Sequence, residues 1–311
     1  MATRFEMLLH GPNETSLRAA GEEALAEIER LEEQLSLYRP SSEIAQVNAR
    51  AAHEPVRVSP PVFELLQHAK QLHLKTAGAF DITVAPLVRC WGFMGGSGRA
   101  PTAKEVSKAL ECVGMDFIIL DPNERTVRFA REGVMLDLGA IGKGYAIECA
   151  VEILRETGIS SALVHGGTST VFALGQPPDA EFWKVALEPF PESLDANGLS
   201  LPNVSLRDEA VSVSAVWGRS FTRDGRIFGH VMDPRTGEPV ANSLLAAVVL
   251  PSATETDALS TALLILGRNY HKELLQLRSG MRTLLVLDID GQLSVEKNGI
   301  WMREQHVKSR D

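Results

Sequence analysis

The chain has 311 residues, 44% of them hydrophobic and 23% charged, which is the balance of a globular protein long enough to bury a large core. Disorder over the whole chain is thereby excluded, and a formal charge of −9 excludes a general nucleic-acid binder, which needs clustered Lys and Arg. Three widely spaced cysteines, Cys90, Cys112 and Cys149, show neither metal-ligand spacing nor a disulfide framework and read as reduced thiols.

Along the chain, the first segment, residues 5–11, reads as a short strand, and residues 15–37 carry apolar positions at helical spacing. Residues 39–43 break that helix and cap a second short one over 43–49. A further helix follows Ser59 and ends near Gly78, residues 94–103 form a glycine-rich surface loop, and a helix restarts at Thr102. From residue 116 the pattern turns β-rich, with two strands joined by a turn at Asp121-Pro122-Asn123. Residues 133–158 read as strand, glycine-bearing turn and long helix. Further β segments cover 160–175, 182–189, 203–215 and 226–234, and a helix at 254–267 and a hairpin at 281–297 finish the chain. The irregular order predicts an α+β protein, a single domain over 1–311 with a mixed, mostly antiparallel sheet flanked by helices. The linker-like stretch 188–202 is too short to divide domains, and the last ten or so residues are expected to form a flexible tail.

No apolar run approaches the ~20 residues of a transmembrane helix. The N-terminus is interrupted by Arg4, Glu6, His10 and Pro12 and lacks the apolar stretch of a signal peptide. The expected location is cytoplasmic, or exported if a leader was removed upstream of this numbering.

Four segments carry candidate chemistry. In residues 136–146 (LDLGAIGKGYA) a strand runs into three glycines and Lys143 before a helix, which suits backbone N–H groups and a helix dipole to phosphate, or a plain structural turn. Asp257 and Thr261 lie four apart on one helix face, hard oxygen ligands suited to Mg²⁺; alternatively Asp257 decorates a first helical turn. His230 ends a strand before the turn Asp233-Pro234-Arg235-Thr236-Gly237, either a base near neutral pH or a packed histidine. Gly166, Gly167 and Thr168 follow a strand, where backbone N–H groups could face a ligand or simply form a hairpin or bulge.

The order of these segments is more telling than any one of them. Ser36-Leu37-Tyr38-Arg39-Pro40 with Ser42-Glu43-Ile44 and Asn48 comes first, then residues 80–87 with Trp91-Gly92-Phe93, then 136–146, then residues 230–237, then 256–267. This series closely resembles the FAD:protein FMN transferases, the ApbE family, over residues 1 to about 290. The resemblance implies an FAD and Mg²⁺ cleft between sub-regions of the fold. It implies Mg²⁺ ligation by Asp257, Thr261 and the Ala140 carbonyl, a flavin-nucleotide lysine at Lys143, and the HxxDPxTG motif at His230 and Asp233. Tyr38, Glu43, Asn48 and Asp81, with Gly166, Gly167 and Thr168, match positions around FAD. Where many relatives carry Gly-Gly-Asp, this chain has Gly166-Gly167-Thr168. Many relatives are exported lipoproteins, whereas here the likeness begins without a leader or lipobox cysteine.

The activity implied is Mg²⁺-dependent cleavage of the FAD pyrophosphate, with transfer of FMN through a phosphoester to a Ser/Thr hydroxyl of an acceptor protein and release of AMP. His230 is the first candidate base and Asp257 the second. FAD pyrophosphatase activity and non-catalytic flavin binding are the alternatives. FAD and an acceptor protein are the expected partners, with no nucleic acid.

Overall fold

A computed structural model describes residues 3–187, 201–223 and 226–302. Most of the linker-like stretch 188–202 and of the expected tail lies outside the described residues. The elements are, in order, β1 (Phe5–Leu9), α1 (Glu14–Leu35), α2 (Glu43–Arg50), β2 (Val56–Arg57), α3 (Pro60–Lys75), α4 (Ala85–Cys90), α5 (Ala103–Leu110), β3 (Ile118–Asp121), β4 (Thr126–Phe129) and α6 (Gly142–Glu156). There follow β5 (Ser161–Gly166), β6 (Thr170–Gly175), β7 (Trp183–Val185), β8 (Val204–Leu206), β9 (Glu209–Ala215), β10 (Ser220–Arg223), β11 (Arg226–Gly229), β12 (Ser243–Leu250), α7 (Ala253–Leu266), α8 (His271–Leu275), β13 (Arg282–Ile289) and β14 (Gln292–Asn298).

Seven strands form the main sheet in the order β1-β5-β6-β9-β12-β13-β14. Every neighbouring pair is antiparallel, so the sheet expected to be mixed has no parallel pair among the described residues. All eight residues of β12 are buried, as a central strand covered on both faces requires. Helix α7 packs on β9 and β12, α6 packs on β5 and β6, and α1 packs on α6. The sequence of α1 explains its place: Asn13 caps it by accepting the Ser16 N–H, and Ala20, Ala24, Ile28, Leu31 and Leu35 bury one stripe at intervals of three and four.

Helix α7 starts at Ser252, whose hydroxyl accepts the Glu255 N–H, and ends at Gly267 with φ +62°. Every residue of α7 except Thr261 and Ile265 is buried. A helix covered on nearly all sides belongs inside the molecule, and the i, i+4 pair left uncovered marks the side that opens on a cavity. Helices α6 and α7 meet at Gly144, where a Cβ would lie 2.1 Å from the Ala253 carbonyl oxygen. Only glycine permits that approach.

The strand expected just before the glycine turn is extended chain outside any sheet. Leu136 donates its N–H to Asn48 Oδ1 (2.7 Å) and its carbonyl accepts from Asn48 Nδ2 (3.0 Å), while the Asp137 N–H donates to the Ile82 carbonyl (2.7 Å). The Asn48 amide thus serves Leu136 as a neighbouring strand would, satisfying buried backbone groups without a ladder.

Apart from the main core, Leu87, Trp91, Phe93, Val106 and Met232 form a satellite core. The β10–β11 hairpin closes it: Phe221 stacks on Phe228 (centroids 5.2 Å), Phe228 on Trp91 (5.7 Å), and Phe93 meets Phe221 (5.8 Å). Trp91 Nε1–H donates to the Gly237 carbonyl (2.9 Å), tying the turn at 233–237 to the same cluster.

Candidate active site

A cleft of about 790 Å³ lies between the two cores. Val171, Val211, Val213 and Leu245 line it from the main sheet, and Val88, Phe93 and Met232 from the satellite core. Among the expected site residues, Tyr38, Asp81, Ala140, Lys143, Thr168, His230, Asp257 and Thr261 line it as well.

Asp257 is 4% exposed and therefore needs partners. Lys143 Nζ lies 3.3 Å from its Oδ1, the Gly144 N–H donates to its Oδ2 (3.0 Å), and the Thr170 hydroxyl lies 3.5 Å from Oδ1. Far from decorating its own helix, Asp257 receives an N–H from the first turn of α6, where the helix dipole favours an anion. The glycine-turn N–H expected to meet phosphate is, at Gly144, directed at this carboxylate.

Thr261 Oγ1 lies one turn on, 3.4 Å from the Asp257 carbonyl oxygen and 3.1 Å from Ser214 Oγ; Ser214 also pairs with Ser260 (2.9 Å). Ser212 donates to the Thr170 hydroxyl (3.1 Å). Strands β6 and β9 therefore support the Asp257–Thr261 edge with a set of hydroxyls. Lys143 Nζ also meets the Gly139 carbonyl at 3.2 Å, so a cation already bridges the turn before α6 and the Asp257 carboxylate. The Asp257 carboxylate and the Thr261 hydroxyl, in a cleft that Ala140 also lines, are hard oxygen donors, as a backbone carbonyl would be. They suit a divalent ion such as Mg²⁺ that completes its shell with water and phosphate. Among the described residues no group of three or more His, Cys, Asp or Glu side chains is placed to hold a metal ion.

His230 faces this group from the satellite core, edge-on to Phe93 at 6.5 Å. Its N–H and its Nδ1 both meet the Arg219 carbonyl, at 3.0 and 3.3 Å. A carbonyl only accepts, so Nδ1 carries the proton and the lone pair of the neutral ring sits on Nε2. Burial pushes the His230 pKa below its ordinary 6.5, the Arg219 and Lys143 charges act in the same direction, and the bond to the carbonyl opposes them. At neutral pH the ring is uncharged and able to take a proton.

Other expected residues have structural duties. Glu43 does not line the cleft; its carboxylate accepts the Ser59 N–H (2.6 Å) at the start of α3. Asn48 holds Leu136 as described. Gly166 and Gly167 also lie off the cleft, and the hairpin reading applies: a Cβ on Gly166 would press on Ile147 at 2.9 Å, and one on Gly167 (φ +64°) on Thr3 at 2.2 Å. Asp233 shapes the 233–237 turn, accepting from the Arg235 N–H and guanidinium (2.9 and 2.8 Å). Asp81 lines the cleft, but Thr83 occupies Oδ1 and His73 Nδ1 lies 3.2 Å from Oδ2.

Residues not singled out from the sequence complete the lining, chiefly Asp137, Ser214, Trp217 and Arg219. The Asp137 carboxylate accepts the Gly139 N–H (2.8 Å), and burial raises its pKa against the pull of that bond and of the Lys143 and Arg219 charges. It stood inside the glycine motif, and its place before the turn was the available signal.

A protein-family model described as the ApbE family matches residues 1–285. A FAD:protein FMN transferase of Klebsiella pneumoniae is 33% identical over 244 residues, 77% of this chain and 73% of that protein. The crystal structure of an ApbE protein of Thermotoga maritima superposes with a TM-score of 0.82 at 26% identity, covering 94% of this chain and 96% of that one. A Pseudomonas stutzeri flavinyl transferase ApbE in apo form gives 0.78 at 29% identity, covering 95% of each. No helix among the described residues is long and apolar enough to cross a membrane.

Proposed function

The chain belongs to the ApbE family and is a flavin-transferring enzyme, and we propose that Asp257, Thr261 and the Ala140 carbonyl hold the Mg²⁺ on which the transfer depends. The reaction is transfer of FMN from FAD to a Ser or Thr hydroxyl of an acceptor protein, with release of AMP. The observation that most supports this reading is the meeting, in one cleft, of a buried carboxylate–hydroxyl edge with a neutral histidine held on a separate core. Bound Mg²⁺ would neutralise charge on the pyrophosphate oxygens.

The chain's own residues supply the rest. Lys143 brings a second positive charge to the same wall. The valines and Phe93 offer an apolar surface to a flavin ring and keep water away from it. His230, with its lone pair on Nε2, takes the proton of the acceptor hydroxyl as that oxygen attacks the FMN phosphorus. Tyr38 is 62% exposed at the cleft and offers an aromatic face at its rim.

The test is incubation with FAD and Mg²⁺, with and without an acceptor domain bearing a Ser/Thr flavinylation motif, read by mass spectrometry. The expected result is an acceptor heavier by one FMN, lost on adding EDTA and in Asp257→Ala. Labelling that persists in Asp257→Ala with unchanged Mg²⁺ dependence would remove Asp257 from the metal site. FMN and AMP formed with no labelling of any acceptor would instead make the enzyme a hydrolase.

A further inference from the structure

Arg219 stands between β9 and β10, exposed and lining the cleft. Its backbone carbonyl fixes His230, while its guanidinium makes no hydrogen bond or ion pair among the described residues. Other arginines are tied to carboxylates: Arg235 to Asp233, Arg278 to Glu255 and Arg282 to Glu209. Of the two basic side chains that line the cleft besides the histidine, Lys143 is paired with Asp257, which leaves Arg219 available to an anion. Arg219, Lys143, His230 and Asp137 all line this one cleft, and both cationic charges bear on His230 and Asp137.

On the transferase reading above, we propose that the Arg219 guanidinium binds the non-bridging oxygens of the phosphoryl group being transferred, the FMN phosphate and not the AMP phosphate. Direction decides between the two phosphates. In an in-line displacement the acceptor oxygen forms its bond to the FMN phosphorus on one side. Its proton passes to His230 Nε2, and the bridging P–O bond breaks on the other side, its electron pair leaving with AMP. Arg219 holds His230 through its own backbone carbonyl and lines the same cleft, so in this proposal its guanidinium belongs with the histidine on the attacking side. A planar guanidinium can take two of them at once, which an ammonium cannot.

The experiment compares wild type, Arg219→Gln and Arg219→Lys in binding FMN, riboflavin and AMP with Mg²⁺ present, alongside transfer kinetics. Substitution keeps the carbonyl that holds His230, and an exposed side chain leaves the core intact. Arg219→Gln is expected to weaken FMN about 10–100-fold, the worth of a charge-assisted phosphate contact, while riboflavin and AMP bind as before. Transfer kcat falls with it, Arg219→Lys recovers part of both, and the His230 titration followed by NMR moves upward as a nearby cation is removed. Equal loss of riboflavin affinity, loss of AMP affinity in place of FMN, or wild-type FMN affinity in Arg219→Gln would overturn the assignment. Wild-type protein that neither binds FMN nor labels an acceptor would instead defeat the transferase reading, and this proposal with it.

Discussion

Replacing Gly144 by alanine tests whether the helix crossing sets the site. The new Cβ would stand 2.1 Å from the Ala253 carbonyl oxygen and 2.8 Å from Asp257 Cβ, far inside van der Waals contact. Relief requires α6 and the start of α7 to separate by about 1 Å, on the scale at which misplacement costs about 100-fold in rate. The Gly144 N–H bond to Asp257, now 3.0 Å, would then be too long to count. Overpacking costs about 1–3 kcal/mol and a lost bond to a buried carboxylate about 1.5–3, against about 1 regained in helix propensity. The net loss of about 2–5 kcal/mol should lower Tm by roughly 3–8 °C in a chain of 311 residues. Gly142→Ala is the control, because a Cβ there meets only Leu138 Cβ at 3.8 Å. Thermal melts and single-turnover FMN transfer on both variants decide the matter. Gly144→Ala with the Tm and rate of wild type would refute the reasoning.

The His230 pKa lies below 6.5, so kcat/KM should rise with pH through an apparent pKa under that value and be flat by neutrality. His230→Ala should lose about 100–10,000-fold, and a rate that climbs steadily from pH 7 to 9 would point to another base. With the proposed Mg²⁺ site, Ser214→Ala removes one of the two partners of the Thr261 hydroxyl and should weaken Mg²⁺ affinity about 10–100-fold by calorimetry, with Ser214→Thr restoring part of it. The His73–Asp81 pair sets a pH dependence of stability. Burial alone would lower the His73 pKa, but Asp81 and the Phe80 carbonyl raise it above 6.5 overall. Its contribution is therefore complete below about pH 6.5 and fades as pH rises through the folded value. In urea, His73→Gln should cost about 1–2 kcal/mol at pH 6 and less at pH 9, and an equal cost at both would contradict this.

Where a candidate pair was local, the sequence displayed it. Asp257 and Thr261 are one helical turn apart, so spacing alone set them side by side. The contact between Asp257 and Lys143 spans 114 positions and follows from how α6 crosses α7, which no local pattern encodes. The glycine motif announced a tight turn but not its purpose, since Gly144 serves helix packing where a phosphate was expected. Alternating Val134, Leu136 and Leu138 signalled extended chain, yet the partner of Leu136 is an asparagine side chain 88 positions away. Glu43 and Asn48 show the limit plainly: a polar side chain beside a motif can face a ligand or satisfy backbone, and only the fold separates the two. Arg219 carries no motif at all, and its place became visible once the β10–β11 hairpin had closed.

The satellite core around Trp91 and Phe93 has a thermal consequence. It is a small cluster of buried side chains, sealed by a two-stranded hairpin, whereas Asp257 is buried on α7, whose apolar residues belong to the main core. Small clusters open at lower free energy than the core of a large sheet. On warming, the histidine's lobe should loosen first. There is then a temperature range in which far-UV circular dichroism reports a folded main sheet in a molecule that has already stopped working.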